Sequence, residues 1–434
     1  MGGEWRESTV AKEVNILLGF AFKSADFEIE PPGYRLVRGD NVKRGTLEWG
    51  EKTRYWRNLT PDLERYSLRA GDVVIGMDGS RVGENFARIA PEDLPALLVQ
   101  RVACLRARKE LDQNFLRYLI CNPEFTRHIK AVHTGTSIPH ISGGQIGGYP
   151  IWVPPINEQR AIAHILGTLD DKIELNRRMS ETLEAITQAL FKSWFVNFDP
   201  VRAKAEGRDP ALPKHIADLF PDSFEDSELG DIPKGWKVGE LGDVLVQRVE
   251  RCIASSETAA LPYVPIDCIS TRSLFLTESK PGEEAQSSLT KFYKGDLIFG
   301  AMRPYFHKVC IAPFDGTTRT TAFVLSPKAK EDFAFATLLL HRSETIAYAT
   351  RHSTGSTIPY AVWSGSLEKM PVIVPPSAVR IAFNMSVRPL LDRIPVPYYQ
   401  SKTLATLRDT LLPKLVSGEI RIKDVSRILG GLTT

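Results

Sequence analysis

From Asn157 to Phe195 apolar side chains return at steps of three and four residues, with one glycine, Gly167, and no proline before Pro200. A seam through Ile162, Ile165, Leu169, Lys172, Asn176, Met179, Leu183, Ile186 and Leu190 predicts one long amphipathic helix of heptad type. Asn176 is the kind of polar intruder that fixes register in such a seam. An ordinary helix packed on its own domain would give the same pattern.

Elsewhere the pattern shortens. Runs of Val, Ile and aromatics such as GDVVIGM (from Gly71) and GDLIFGAM (from Gly295) are bounded by Gly, Pro and Asp, and predict strands. LDQNFLRYLICNPEFTRHIKAV (from Leu111) and DFAFATLLLHRSETIAYATR (from Asp332) have helical spacing. A second long helix is predicted from Ser377 to Gly418 through Leu404, Leu407, Leu411 and Leu415. It should break between Arg393 and Pro397, because Pro389, Pro395 and Pro397 each remove a backbone donor, and bend at Pro413. Asn197–Pro233, with several prolines and the acidic stretch DSFEDSELGD, predicts a surface connector.

The runs also recur in order. TGTSIPHISGGQIGGYPIWVPP (Thr134–Pro155) matches TGSTIPYAVWSGSLEKMPVIVPP (Thr354–Pro376). AGDVVIGMDGSRVG (from Ala70) matches KGDLIFGAMRPYFHKV (from Lys294), and Glu4-Trp5-Arg6 matches Gly235-Trp236-Lys237. Three ordered matches imply a duplicated strand-rich α+β module, each copy followed by a long helix. Small hydroxyl residues beside glycine make the TGTSIP and TGSTIP turns tight corners with Pro139 and Pro359 setting the exit. Ser137 and Thr357 are possible phosphate contacts there.

The totals exclude more than they assert. A chain of 434 residues with 43% hydrophobic and 25% charged residues suits several globular domains. A net charge of +3 leaves nucleic acid open, since a basic groove is a local feature. Five scattered cysteines without a CxxC pair suit a reducing cytoplasm. His307 and Cys310 have half the spacing of a metal site and more readily read as structural, so no metal and no cofactor are expected. MGGEWRESTV is not laid out as a signal peptide, and VNILLGFAF is too short for a membrane span. No GxxxxGK[ST] or GxSxG motif is present, EPPGY lacks the flanks of an amino-methyltransferase motif, and Pro61-Asp62 and Pro221-Asp222 lack the ExK of a nuclease.

The paired turns, the run ELNRRMSETLEAITQALFKSWFVNFDPVRAKAEG, IPKGWKVGELGDV and TLATLRDTLLPKLVSGEI together resemble the specificity subunit of type I restriction-modification enzymes across essentially the whole chain. The resemblance implies an α+β fold in which two repeated target recognition domains are separated by long antiparallel coiled-coil helices. Its divisions would be 1–155, first recognition domain; 156–198, first spacer helix; 199–232, linker; 233–376, second recognition domain; 377–420, second spacer, broken near 393–397; and 421–434, tail. It implies a non-catalytic subunit that reads a split double-stranded DNA target, one domain per half, and docks methyltransferase and restriction-translocase subunits. The chain departs from the family at RIPVPYYQ, where helix normally continues.

A reader needs cations for phosphates and polar forks for base edges. Arg35, Arg38, Lys43, Arg44, Lys52, Arg54 and Arg57 interleave with Trp49, Tyr55 and Trp56, and are the first copy's candidates. The second copy offers Arg303, Tyr305, His307 and Lys308, with Arg81 as the first copy's positional analogue. Ile162, Leu169, Asn176, Leu183, Leu190, Leu404 and Leu411 are the expected spacer and docking positions. The competing reading is a duplicated coiled-coil scaffold that binds protein rather than DNA.

Overall fold

The computed structural model describes residues 5–134, 139–286 and 288–422. One compact unit takes in the chain up to Lys172 and from Thr403 onward; the other is Ile173–Lys402.

In the first unit β1 (Arg6–Thr9), α1 (Val10–Glu13) and β2 (Val14–Leu18) are followed by β3 (Tyr34–Val37), β4 (Arg44–Gly45) and β5 (Tyr55–Trp56). Next come β6 (Val73–Gly76), β7 (Phe86–Arg88), β8 (Ala96–Leu98) and β9 (Val102–Ala107). Helices α2 (Gln113–Ile120), α3 (Pro123–Val132) and α4 (Gly143–Gly147) precede β10 (Pro150–Val153). The sheets are ordered β2-β9-β6-β7-β4, β5-β3-β8 and β1-β10.

The helix α5 (Ile156–Phe195) begins in this unit and ends in the other. It is followed by α6 (Asp199–Ala205), α7 (Lys214–Ala217), β11 (Phe224–Glu225), β12 (Ile232–Pro233) and β13 (Lys237–Glu240). The second unit continues with α8 (Leu241–Val244), β14 (Leu245–Gln247), β15 (Arg251–Cys252), α9 (Ser256–Ala259), β16 (Leu289–Phe292) and β17 (Leu297–Gly300). Then come β18 (Val309–Ile311), β19 (Gly316–Arg319), β20 (Ala322–Pro327), α10 (Phe333–His341), α11 (Ser343–Arg351) and β21 (Pro371–Val374). The last helices are α12 (Ser377–Arg393) and α13 (Pro395–Ser417). Sheet orders here are β14-β20-β17-β18, β15-β16-β19, β13-β21 and β11-β12.

Elements recur at matching places. Arg6 pairs with Val153 across β1 and β10, and Lys237 pairs with Val374 across β13 and β21. β6 and β17 are each fully buried and lie between two neighbours, so both faces must be apolar. Successive side chains serve different cores: Val73 and Ile75 enter one, Val74 the other, and Leu297 and Phe299 likewise part from Ile298. The AGD and KGD corners before them are the same turn. Gly71 and Gly295 take φ of 91° and 90°, open to glycine, while Asp72 and Asp296 accept the amides of Arg69 and Tyr293 at 2.8 Å.

Both predicted helical patches are split in two. Asn122 caps α3 with its side chain and Pro123 follows in the first turn, where its missing donor costs nothing. At Arg342 the backbone is extended between α10 and α11.

Along α5 the predicted seam is correct except at two positions. Ile162 and Leu169 enter the first unit's core, and Leu183 and Leu190 pack on the second's, while Asn176 is buried. Ile165 also packs on the first unit's core and Met179 is half-buried, but elsewhere the buried position departs from the predicted one. Leu166 and Thr187 are buried, whereas Lys172 and Ile186 are exposed. Hydrophobicity could not mark these places, because small polar residues fill some of them. Ser180 and Thr187 satisfy their hydroxyls on the carbonyls of Ile394 and Glu184.

The interruption before α13 is slight. Ile394 keeps helical angles, φ −58° and ψ −41°, and bonds Leu390. Pro395 and Pro397 then occupy the first turn of α13, whose amides have no intrahelical acceptor in any case. The stretch predicted as a surface connector is instead packed: Phe198, Val201, Phe220 and Ile232 are buried, with Phe220 edge-on to Trp194 at 5.1 Å. Its acidic residues concealed that aromatic anchoring.

Candidate nucleic-acid interface

In the first unit β6 ends at Gly76 and the chain turns through Met77–Arg81, where main-chain bonds fix its course. Met77 donates to Arg101 at 2.8 Å, Ile141 to Met77 at 2.9 Å and Gly79 to Pro139 at 3.1 Å. Thr134 and His140 close the TGTSIPH turn with reciprocal bonds of 3.0 and 2.8 Å. In the second unit Ala301 donates to Thr321, Ala361 to Ala301 and Arg303 to Pro359, and Thr354 and Tyr360 close the second turn reciprocally. Each turn is therefore a strap that ties down the loop after the central strand. This register sets Gly79, rather than Arg81, opposite Arg303. Ser137 lies outside the described residues, and Thr357 is exposed.

Four loops converge beside the first strap on a groove of about 580 Å³, lined by Phe22, Phe27, Arg38, Lys43, Arg81 and Arg101 among others. It thus gathers three predicted cations, Arg38, Lys43 and Arg81. The extended stretch at Arg38 leads into a turn closed by Asn41, whose side chain accepts the Arg38 amide at 3.2 Å. One Arg38 amine donates to the Lys52 carbonyl at 3.1 Å, but its Nε is buried without a partner. Lys43 faces Glu48 at 3.5 Å with both side chains exposed, an exchangeable pairing. Arg81 is exposed.

The other predicted cations do not line this groove. Arg35 lies over the Trp49 ring at 5.5 Å and bonds the Glu92 carbonyl. Arg54 bonds the carbonyls of Glu51 and Thr53, Arg57 pairs with Glu28 at 3.3 Å, and Arg44 is exposed on β4. The indoles serve the fold: Trp49 donates to Asp93 at 2.7 Å, and Trp56 packs edge-on against Phe22 at 4.8 Å. Two polar groove residues absent from the sequence-based set are Gln100 and Arg101. Their signal was present, a polar pair interrupting the apolar run from Ala96 to Leu105.

The second loop is built differently. Arg303 and His307 both take left-handed φ, 52° and 51°, around a single helical turn. Tyr305 is exposed and rests against Phe306 at 4.9 Å, while Lys308 bonds the Ile266 carbonyl at 2.7 Å. His307 is buried and donates from Nε2 to the His341 carbonyl at 2.8 Å. Burial lowers the pKa of both rings, that of His341 to about 3. Cys310 is buried in β18 with its thiol pushed up to about 12 by burial. Among the described residues no group of three His, Cys, Asp or Glu is arranged to hold a metal ion.

At the helices, Leu404 is partly buried and Leu411 is buried with Leu166 and Leu415 in the first unit's core. Asp170 on α5 receives Arg117 and Arg408 at 2.8 Å each and the Tyr118 hydroxyl at 2.8 Å. Asn176 has neither side-chain polar atom partnered. No described helix is long and apolar enough to cross a membrane.

Residues 22–185, which contain this groove, match the type I restriction modification DNA specificity domain. The type I restriction enzyme MjaIX specificity subunit of Methanocaldococcus jannaschii is 29% identical over 72% of this chain and 70% of its own length. The HindI specificity subunit of Haemophilus influenzae is 25% identical over 70% of this chain and 77% of its own. In fold the chain resembles the crystal structure of the type I restriction-modification S subunit from M. genitalium, with a TM-score of 0.62, 16% identity, and 95% and 96% of the two chains covered. This mixed helix-and-strand chain is thus similar to type I restriction enzyme specificity subunits over about 70% of its length and matches the DNA specificity domain at residues 22–185.

Proposed function

We propose that this chain is the non-catalytic specificity subunit of a cytoplasmic type I restriction-modification complex and reads a two-part DNA target. The recognition domains are assigned to 1–155 and 233–376, the spacers to 156–198 and 377–420. One observation supports the reading above the others: in both halves the same strap fixes the loop after the central strand through the same main-chain atoms, while the side chains offered there differ. Fixed frames carrying different side chains are what two readers of unlike half-sites require. The groove of the first reader supplies Arg38, Lys43 and Arg81 for phosphates. The second offers Arg303, Tyr305 and Lys308.

The spacer role falls to α5, whose 40 residues span about 60 Å at 1.5 Å per residue. That exceeds the roughly 34–36 Å between half-sites one DNA turn apart, leaving helix surface for methyltransferase and restriction subunits. Mapping methylated bases in cells that carry this chain with its partners should give two short sequences around an unread gap. Inserting one helical turn after Lys172 should change the gap and spare both sequences; an unchanged gap removes the ruler. DNA retention insensitive to salt would instead favour the protein-binding scaffold.

A further inference from the structure

We infer that Gln100 and Arg101, the polar pair at the tip of the three-residue connection from β8 to β9, read base edges, while Arg38, Lys43 and Arg81 hold the phosphates beside them. The inference rests on the DNA-reading function proposed above and assigns the specificity residues within that groove.

The tip is held with unusual firmness for an exposed polar turn. Arg101 has φ of 70°, a left-handed conformation unfavourable for a side-chain-bearing residue. It is kept there by main-chain bonds from Met77 to Arg101 at 2.8 Å, from Gln100 to Phe20 at 2.8 Å and from Val102 to Val99 at 3.2 Å. Gly19 presses against the base of the tip so closely that a Cβ there would fall 2.0 Å from the Val99 carbonyl oxygen. Packing of the arginine side chain does not explain the strain, because that side chain is 62% exposed and its carboxylate neighbour, Asp78, stands 3.9 Å away. Such a pair contributes little and yields to a better acceptor.

The chemistry suits base edges. Arginine presents a planar fork to guanine O6 and N7, and glutamine presents a donor and an acceptor to adenine N7 and N6. The second unit keeps the frame and changes the tip: Ala301 bonds Thr321 at 2.9 Å as Met77 bonds Arg101, and the two residues between β19 and β20 are Thr320 and Thr321. A shared main-chain tie carrying a long fork in one copy and short hydroxyls in the other is suited to discriminating different bases.

The test uses the complex of this chain with its methyltransferase partner, and duplexes bearing the mapped target or single-base changes in it. In Gln100→Ala and Arg101→Gly, discrimination at one or two adjacent base pairs of one half should fall about ten- to a hundredfold. The other half, the gap and the salt dependence should stay as in the parent. Glycine accepts the left-handed φ, so Arg101→Gly keeps the tip's shape. Arg81→Ala should instead weaken all duplexes alike and lower the salt slope by about one. Unchanged discrimination in both tip variants, or uniform weakening, overturns the assignment. A parent complex with no two-part preference at all would defeat the underlying function, and this inference with it.

Discussion

The two ends of α5 are held in opposite ways. Toward its start Ile162 and Leu166 sit among Leu411, Leu412 and Leu415, and the half-buried carboxylate on the helix, Asp170, is met by two guanidiniums. Toward its end Phe191, Trp194 and Phe195 close on Phe383 with ring centroids 4.8–6.0 Å apart. Among the described residues the carboxylate there, Glu184, receives only the Leu274 amide and the Gln188 side chain. One helix thus meets an aliphatic, charge-balanced surface and then an aromatic one with an unbalanced acid. A single repeating seam does not require a single kind of partner.

The largest expected effect comes from the aromatic end. Phe383→Ala should lower stability by about 4 kcal/mol and Leu166→Ala by about 3, read from urea unfolding followed in each unit. Equal, small losses would mean that the helix ends pack loosely and that the contrast is only compositional. Next are the paired corners: Asp72 holds Arg106 at 2.6 Å and Asp296 holds Arg248 at 2.8 Å, although the arginines come from different places, β9 and the residue just after β14. Asp72→Ala and Asp296→Ala should each cost about 3 kcal/mol, because each strands a half-buried guanidinium and an unpaired turn amide. A loss below about 1 kcal/mol at either would show that the glycine turn stands without its carboxylate.

A pH-dependent effect separates the two acids. Burial raises the pKa of Glu184 to about 7 from an ordinary 4.5. A raised carboxyl pKa favours the folded state fully at low pH and loses that contribution as pH climbs from about 4.5 through 7. Glu184→Gln should remove this slope from the second unit's unfolding midpoint between pH 4.5 and 8. A slope that persists would place the titration elsewhere.

Much of this arrangement is written locally in the chain. GDVVIG and GDLIFG declare buried central strands because both faces must be apolar, and the twin turns declare a repeated corner. The seam's phase is less legible, since Ser180 and Thr187 fill positions that a hydrophobic count leaves vacant, and Lys172 and Ile186 looked eligible while facing outward. Asn122-Pro123 was a readable helix boundary inside a patch whose spacing suggested one helix. The groove was the least legible feature. Arg35, Arg54 and Arg57 have the same composition as Arg38 and Arg81, and only the course of the loops decides which cations share a surface.

The first unit draws its core from two distant stretches of chain, whereas the second is one continuous run. Leu411, Leu412, Leu415 and Val416 complete the apolar cluster around Phe115 and Tyr118. On the ribosome the usual order is therefore inverted. The later-encoded unit has all its own residues first, and the earlier one must wait, its cluster open, until α13 emerges.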